Sequence, residues 1–296
     1  MKIAKREIVY SKHCGHNPPQ FMVKPDEVFK AETELCTGGW LLNETDIWSP
    51  DKTTGCNPTV VVSVEGAQPG GLLAVDIIEI IPGRLGYTGF DNNSNPLAHR
   101  IFPRDWGGTL KTVTIENGFV NWSGKLKLPI SPMLGVLGTA PYGESLFNSR
   151  AGEHGGNMDV QEVAAGATVY LPIEVPGALL HIGDAHAIQG DGEINCSGGI
   201  ECRAEVTLKT RLLPRPAEYG SVRIETESFI ATVGSRRGFE ESFHYATAQL
   251  IKWMAADYGF TQREAYLLLG QVMQARSTQF VNPTNSYICK VYKKFL

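Results

Sequence analysis

The stretch Thr112-Val113-Thr114-Ile115-Glu116-Asn117-Gly118-Phe119-Val120-Asn121-Trp122 sets the expectation for the fold. Its halves, Thr112–Glu116 and Phe119–Trp122, are rich in β-branched and aromatic residues. Asn117-Gly118 between them tolerates the positive φ that a two-residue turn demands, the strongest short-range hairpin signal. Working outward, Thr59–Val64, Leu72–Ile81, Leu110–Ile115, Thr168–Ile173, Ala178–Ile182, Ala204–Leu208 and Ser221–Thr226 have the length of strands and end on Gly, Pro or Asn. Many short strands with turn punctuation predict a sandwich or barrel, so the chain reads as mainly β.

The period changes after Arg237. Phe243, Ala246, Leu250, Trp253 and Met254 recur at helical spacing over Ser242–Tyr258, and Gly259 supplies a stop. Thr261-Gln262-Arg263-Glu264 fits a capping box, and Ala265, Leu268, Leu269, Val272 and Met273 then form one apolar face. The expected organisation is a β body over residues 1–235, carrying the site, and a helical part over 236–296 docked on it.

A hydrophobic share of 42%, a charged share of 20% and a net charge of -4 describe an ordinary folded chain with no basic stripe for nucleic acid. No run approaches the roughly 18 apolar residues of a membrane helix. The basic start Met1–Glu7 lacks the apolar stretch of a signal peptide, and the six cysteines (14, 36, 56, 196, 202 and 289) form no C-x-x-C pair. These features predict a cytoplasmic protein with buried, reduced thiols. The tract Asp91–Pro96 reads as a solvated polar loop.

The chemistry concentrates in Gly183-Asp184-Ala185-His186-Ala187-Ile188-Gln189-Gly190-Asp191-Gly192-Glu193, closing on Glu201. Asp184 and His186 are two apart and share a face on an extended segment, whereas His181 points the other way on an unbroken strand. Gly190 and Gly192 can turn the chain so that Asp191 or Glu193 joins them, although Asp191-Gly192 alone is equally a hairpin turn. Carboxylate with imidazole suits zinc, and clustered carboxylates suit calcium. A second cluster, Glu153-His154-Gly155-Gly156-Asn157-Met158-Asp159, repeats the two-residue spacing at Asn157 and Asp159. Glu65 ends an apolar strand and is a candidate substrate contact. The G-x-S-x-G, P-loop, H-E-x-x-H and dinucleotide motifs are absent, and Cys196-Ser197-Gly198-Gly199 is only a fragment of an amidase glycine-serine loop.

Taken together, Pro176–Glu193 resembles the signature stretch of the acetamidase/formamidase family. His154–Asp159 and Val64-Glu65-Gly66-Ala67-Gln68-Pro69-Gly70 resemble two further family segments in the same order, and Tyr170–Ile173 and Thr261–Tyr266 agree. The resemblance spans roughly residues 55 to 280. It departs at Pro69-Gly70-Gly71, where the family carries an acidic residue after the first glycine. What it implies is a β-sandwich (jelly-roll-like) core with a smaller α/β C-terminal part, hydrolysis of short aliphatic amides to carboxylate and ammonia, and a homo-oligomer, a dimer first. It also implies a divalent metal near Asn157, Asp159, Asp184, His186, Asp191 and Glu193.

Amide hydrolysis needs an activated water, oxyanion stabilisation and an acid for the amine. The expected roles are metal ligation by Asp184, His186 and Asp159, and proton transfer by Glu193, with Asp191 its alternative. Gln189 and Asn157 are expected as neutral contacts to the amide. The rivals are a non-catalytic β-sandwich binding module with a structural metal, and a cupin-like oxidase, whose H-x-H spacing is missing.

Overall fold

A computed structural model describes residues 1–90, 97, 100, 109–195 and 197–296. The polar loop at 91–96 and Cys196 lie outside the described residues. The strands that position the site are β1 (Val28–Glu32), β2 (Thr59–Val64), β3 (Gly71–Phe90), β4 (Met133–Gly138), β5 (Gly155–Asn157), β6 (Leu180–Gln189), β7 (Ser197–Pro214), β8 (Phe229–Arg236), β9 (Gln274–Gln279) and β10 (Asn285–Tyr292). The helices are α1 (Phe239–Asp257) and α2 (Gln262–Val272).

Among the described residues, Lys12–Cys14 and Ser145–Phe147 form a separate two-stranded sheet, and the ten strands above join one large curled, mostly antiparallel network. Its spine is the long pair β3 and β7, matched from Gly89 opposite Ser197 to Gly71 opposite Pro214, with three register shifts that bend it. Alternate residues of its strands, among them Val60, Val62, Val75, Ile77, Leu180, Ile182, Val206 and Leu208, meet in one buried core. Each such side chain contributes about 1.5–3 kcal/mol relative to exposure. The expected mainly-β fold with two helices near the C-terminus is the one found.

The Asn-Gly hairpin forms as read. Glu116 pairs with Phe119 across a turn in which Asn117 has φ 53° and Gly118 φ 81°. The first predicted helix extends to Phe239–Asp257, and the second starts at the capping box. There, Thr261 accepts the Glu264 amide hydrogen at 3.2 Å, and the Glu264 carboxylate accepts the Thr261 amide hydrogen at 3.0 Å. Ala246, Leu250, Trp253 and Met254 of α1, with Ala265 and Leu269 of α2, pack on Ile230 of β8 and on Cys289 and Val291 of β10. Residues past the helices return as the β9–β10 hairpin, whose β10 pairs along β8. Among the described residues no helix is long and apolar enough to cross a membrane.

One local feature governs everything that follows. Strand β6 keeps β4 on one edge from His181 to His186, but on its other edge Leu180–Gly183 pair with β2 and Ala185–Gln189 pair with β7. The changeover falls at Asp184, whose φ of 55° is the left-handed region. A fork thus opens between β2 and β7, and the segment carrying Cys36 and Asn57 lines it.

Candidate active site

The fork encloses a cavity of about 200 Å³, lined among others by Cys36, Asn57, Asn157, Asp184, Glu193 and Glu201. That is below the roughly 300–1,000 Å³ of drug-sized sites, so it suits a molecule of a few heavy atoms. A larger hollow of about 480 Å³ lies at Arg150, Glu153 and Arg215 but holds none of these carboxylates.

β6 supplies Asp184 and His186, and β7 supplies Glu201 directly opposite His186. β5 and the residues after it supply Asn157 and Asp159, and the turn between β6 and β7 supplies Glu193. Asp159, Asp184 and Glu193 all sit at positive φ, 49°, 55° and 44°. Such backbone costs about 1–3 kcal/mol per residue and clusters at functional sites. The left-handed step at Asp184 also breaks the strand's parity. Leu180 and Ile182 before it and Ala185 after it face the same core, so His181 leaves the strand on the same side as His186. His181 is nevertheless occupied elsewhere. Its Nδ1 meets Thr59 Oγ1 at 2.9 Å, and its ring stacks on His13 at 4.2 Å.

The imidazole of His186 is fully buried. Gln189 donates both amide hydrogens, to Asp159 O at 2.8 Å and Thr278 O at 3.1 Å, so its Oε1 is left as an acceptor for His186 Nδ1 at 2.8 Å. The ring is therefore held with hydrogen on Nδ1 and with Nε2 turned to Glu201 Oε1 at 3.2 Å and Asp184 Oδ1 at 3.6 Å. Nε2 makes no hydrogen bond there. Burial opposes a charge on the ring, but the Glu201 and Asp184 carboxylates outweigh it and raise the His186 pKa, so Nε2 carries a proton unless a cation takes that place between them.

The acids are short of partners as well. Both Asp159 oxygens, Asp184 Oδ1, Glu193 Oε2, Glu201 Oε2 and Asn157 Oδ1 are buried without hydrogen bonds. Asp184 Oδ2 accepts from Asn57 Nδ2 at 3.0 Å, and Glu193 Oε1 accepts from the Gly198 amide at 3.3 Å. Burial, then the Asp184 charge, pushes Asp159 up to about 7. Burial likewise lifts Glu201 to about 7, and burial plus the Asp159 charge holds Glu193 well above the ordinary carboxylate range. Two glycines make the crowding possible. A Cβ on Gly135 would stand 2.5 Å from Asp159 Oδ1 and from Asp184 Oδ2, and one on Gly198 would stand 1.8 Å from Glu193 Cγ.

Unpartnered buried carboxylates and an imidazole lone pair are a donor set that fits a divalent cation. Among the described residues two groups have ligand atoms within 4.8 Å of one another: Asp159, Asp184 and His186, and Cys36, Asp184 and Glu201.

The structure brings together Asn157, Asp159, Asp184, His186, Gln189 and Glu193 of the residues singled out in the sequence. It does not bring in Asp191, whose side chain is 66% exposed and paired with Arg276 at 2.8 Å, nor Glu65, exposed in the turn after β2. Sequence reading assigned no role to Glu201, Cys36 or Asn57. For Glu201 a signal existed: refolding the chain about the Gly190–Ile194 turn brings it against His186. For Cys36 and Asn57 the link is purely tertiary. Of the five described cysteines, all free, Cys36, Cys202 and Cys289 are buried, while Cys14 is half-buried and Cys56 exposed.

Comparison with known proteins gives this geometry a lineage. Residues 147–291 match the Acetamidase/Formamidase family. The crystal structure of an acetamidase from Bacillus halodurans is similar over 99% of this chain and 98% of its own, with TM-score 0.91 and 30% identity. An acetamidase of Mycolicibacterium smegmatis is 26% identical over 86% of this chain and 85% of its own. A formamidase of Methylophilus methylotrophus is 26% identical over 65% of this chain and 61% of its own. The chain spans about three fifths of the length of two of the curated relatives it matches. With its fold matched end to end by a solved acetamidase and its signature stretch wrapped around the cavity, the chain belongs to the acetamidase/formamidase family.

Proposed function

We propose that this protein hydrolyses short aliphatic amides to a carboxylate and ammonia. The observation that carries the reading is the small cavity at the fork, where Glu193 presents an unpartnered carboxyl oxygen beside Asp159, Asp184 and His186. The relatives named acetamidase and formamidase support the same reaction class. Asp159, Asp184 and His186 would hold a divalent ion, zinc first and calcium second. A bound zinc ion would lower the pKa of water from 15.7 to about 7 and polarise a carbonyl.

The chain's own groups supply the rest. Glu193, held by the Gly198 amide, can accept a proton from water and return one to the departing nitrogen, and burial raises its pKa above the ordinary carboxylate range. Asn157 lines the cavity with a carboxamide whose Oδ1 has no partner, suited to the substrate amide. Gln189 acts through His186, because all of its polar atoms are engaged by protein. Asp191 ties the turn to Arg276 rather than facing the substrate.

The test is ammonia release from formamide, acetamide and longer aliphatic amides, with and without a chelator. Release that declines with chain length and with chelation is expected. No release from any of them by folded, metal-supplied protein would overturn the proposal.

A further inference from the structure

We propose that the fork takes two divalent ions, and that the second is a thiophilic one held by Cys36, Asp184 and Glu201. The inference rests on the metal-dependent reading above and extends it. The two ligand sets, Asp159 with His186 and Cys36 with Glu201, have only Asp184 in common. Their shared residue would therefore bridge two positions, as carboxylates do in paired-metal sites whose ions lie about 3.5–4 Å apart.

Charge points the same way. Asp159, Asp184, Glu193 and Glu201 are four buried carboxylates at one fork. Each buried carboxylate needs a proton or a cation, and a second dication would serve those that the first leaves. Asp184 Oδ1 and Glu201 Oε2 have no hydrogen-bond partner, so both remain free to ligate.

The hydrogen bonds behind Cys36 can all be oriented towards its sulfur. Trp40 Nε1, which can only donate, gives its hydrogen to Thr37 Oγ1 at 2.8 Å. Thr37 Oγ1 lies 2.8 Å from the Tyr87 hydroxyl, and that hydroxyl lies 2.9 Å from Cys36 Sγ. With Trp40 donating in, Thr37 can donate to Tyr87 and Tyr87 to the sulfur. In that orientation Sγ is the acceptor, as a metal-bound thiolate would be. Thiolate as a ligand selects zinc, cadmium or cobalt over calcium and magnesium.

The experiment titrates chelator-stripped protein with Co²⁺, reading bound metal by elemental analysis and thiolate-to-metal charge transfer in the near ultraviolet. Two equivalents per chain are expected, only one of which raises the band. Cys36→Ser should keep one equivalent and lose the band, while Cys56→Ser should keep both. Tyr87→Phe should weaken the band-forming equivalent by about 10–100-fold, the usual effect of removing an outer-shell partner. It carries the test if Cys36→Ser does not fold. A single equivalent without a band, or a band that survives in Cys36→Ser, overturns the second site and leaves the first standing. No bound metal at all overturns both.

Discussion

The Gln189 carboxamide oxygen accepts the Nδ1 hydrogen of His186 at 2.8 Å, and two backbone carbonyls prevent that carboxamide from flipping. One side chain therefore decides which imidazole nitrogen is left to ligate. Gln189→Leu should reduce metal affinity by about 10–100-fold, the usual effect of losing a partner behind a ligand. Competition against a chromogenic chelator measures it, and an unchanged affinity would remove the ring-orienting role.

Glu193 and Asp191 are two residues apart, yet only Glu193 reaches the cavity. Glu193→Gln should lower turnover by about 10²–10⁴-fold with the protein still folded and metal still bound. Asp191→Asn should change turnover far less, because its carboxylate faces solvent and Arg276. Comparable losses in both variants would reject the assignment of the proton carrier.

Gly198→Ala tests the same residue from behind. The added methyl would overlap Glu193 Cγ, so the carboxylate must move. Turnover should fall as in Glu193→Gln while KM for the amide changes little. Full activity would mean that Glu193 can work from another position.

Arg276 straps the turn between β6 and β7 to β9, pairing with Asp191 at 2.8 Å and Glu162 at 2.6 Å. Backbone bonds from Gly192 N to Ser277 O and from Phe280 N to Gly192 O complete the strap. Arg276→Gln should loosen Glu193, seen as faster amide hydrogen exchange over residues 190–194 and a lower kcat. Exchange unchanged there would show that the backbone bonds suffice.

His13, His154 and His181 are buried together, His13 stacked on His181 and edge-on to His154. Burial pulls His181 down to about 3, and burial with the Arg150 charge pulls His154 down to about 4. Their folded pKa values lie below the ordinary 6.5, so the unfolded chain binds more protons. Their stabilising effect is complete above that value and is lost as pH falls through 6.5 towards 3–4. Melting temperatures of chelated protein should therefore drop over this window, and less steeply in His154→Gln. Equal slopes would assign acid lability to other groups.

The strand runs, the hairpin at Asn117-Gly118 and the capping box at Thr261 were legible in the sequence because each rests on neighbours within a few residues. Asp184 and His186 were legible for the same reason, since residues two apart share a strand face. The side of the strand taken by His181 was not, because parity presumes an unbroken strand and Asp184 interrupts it with left-handed backbone. Asp191 attracted attention through its flanking glycines, which turn the chain but leave that carboxylate outside. Cys36 reaches Asp184 only because β6 exchanges β2 for β7, a pairing that no local spacing encodes.

Asp159, Asp184 and Glu193 occupy backbone conformations that glycine adopts without strain. A glycine at any of them would remove a reactive group and relieve a local conformational cost of about 1–3 kcal/mol. Selection for thermal endurance alone would thus tend to erase this centre. A screen that scores only folding would enrich for inert descendants, so any stabilised version of the protein must be selected with turnover as a second criterion.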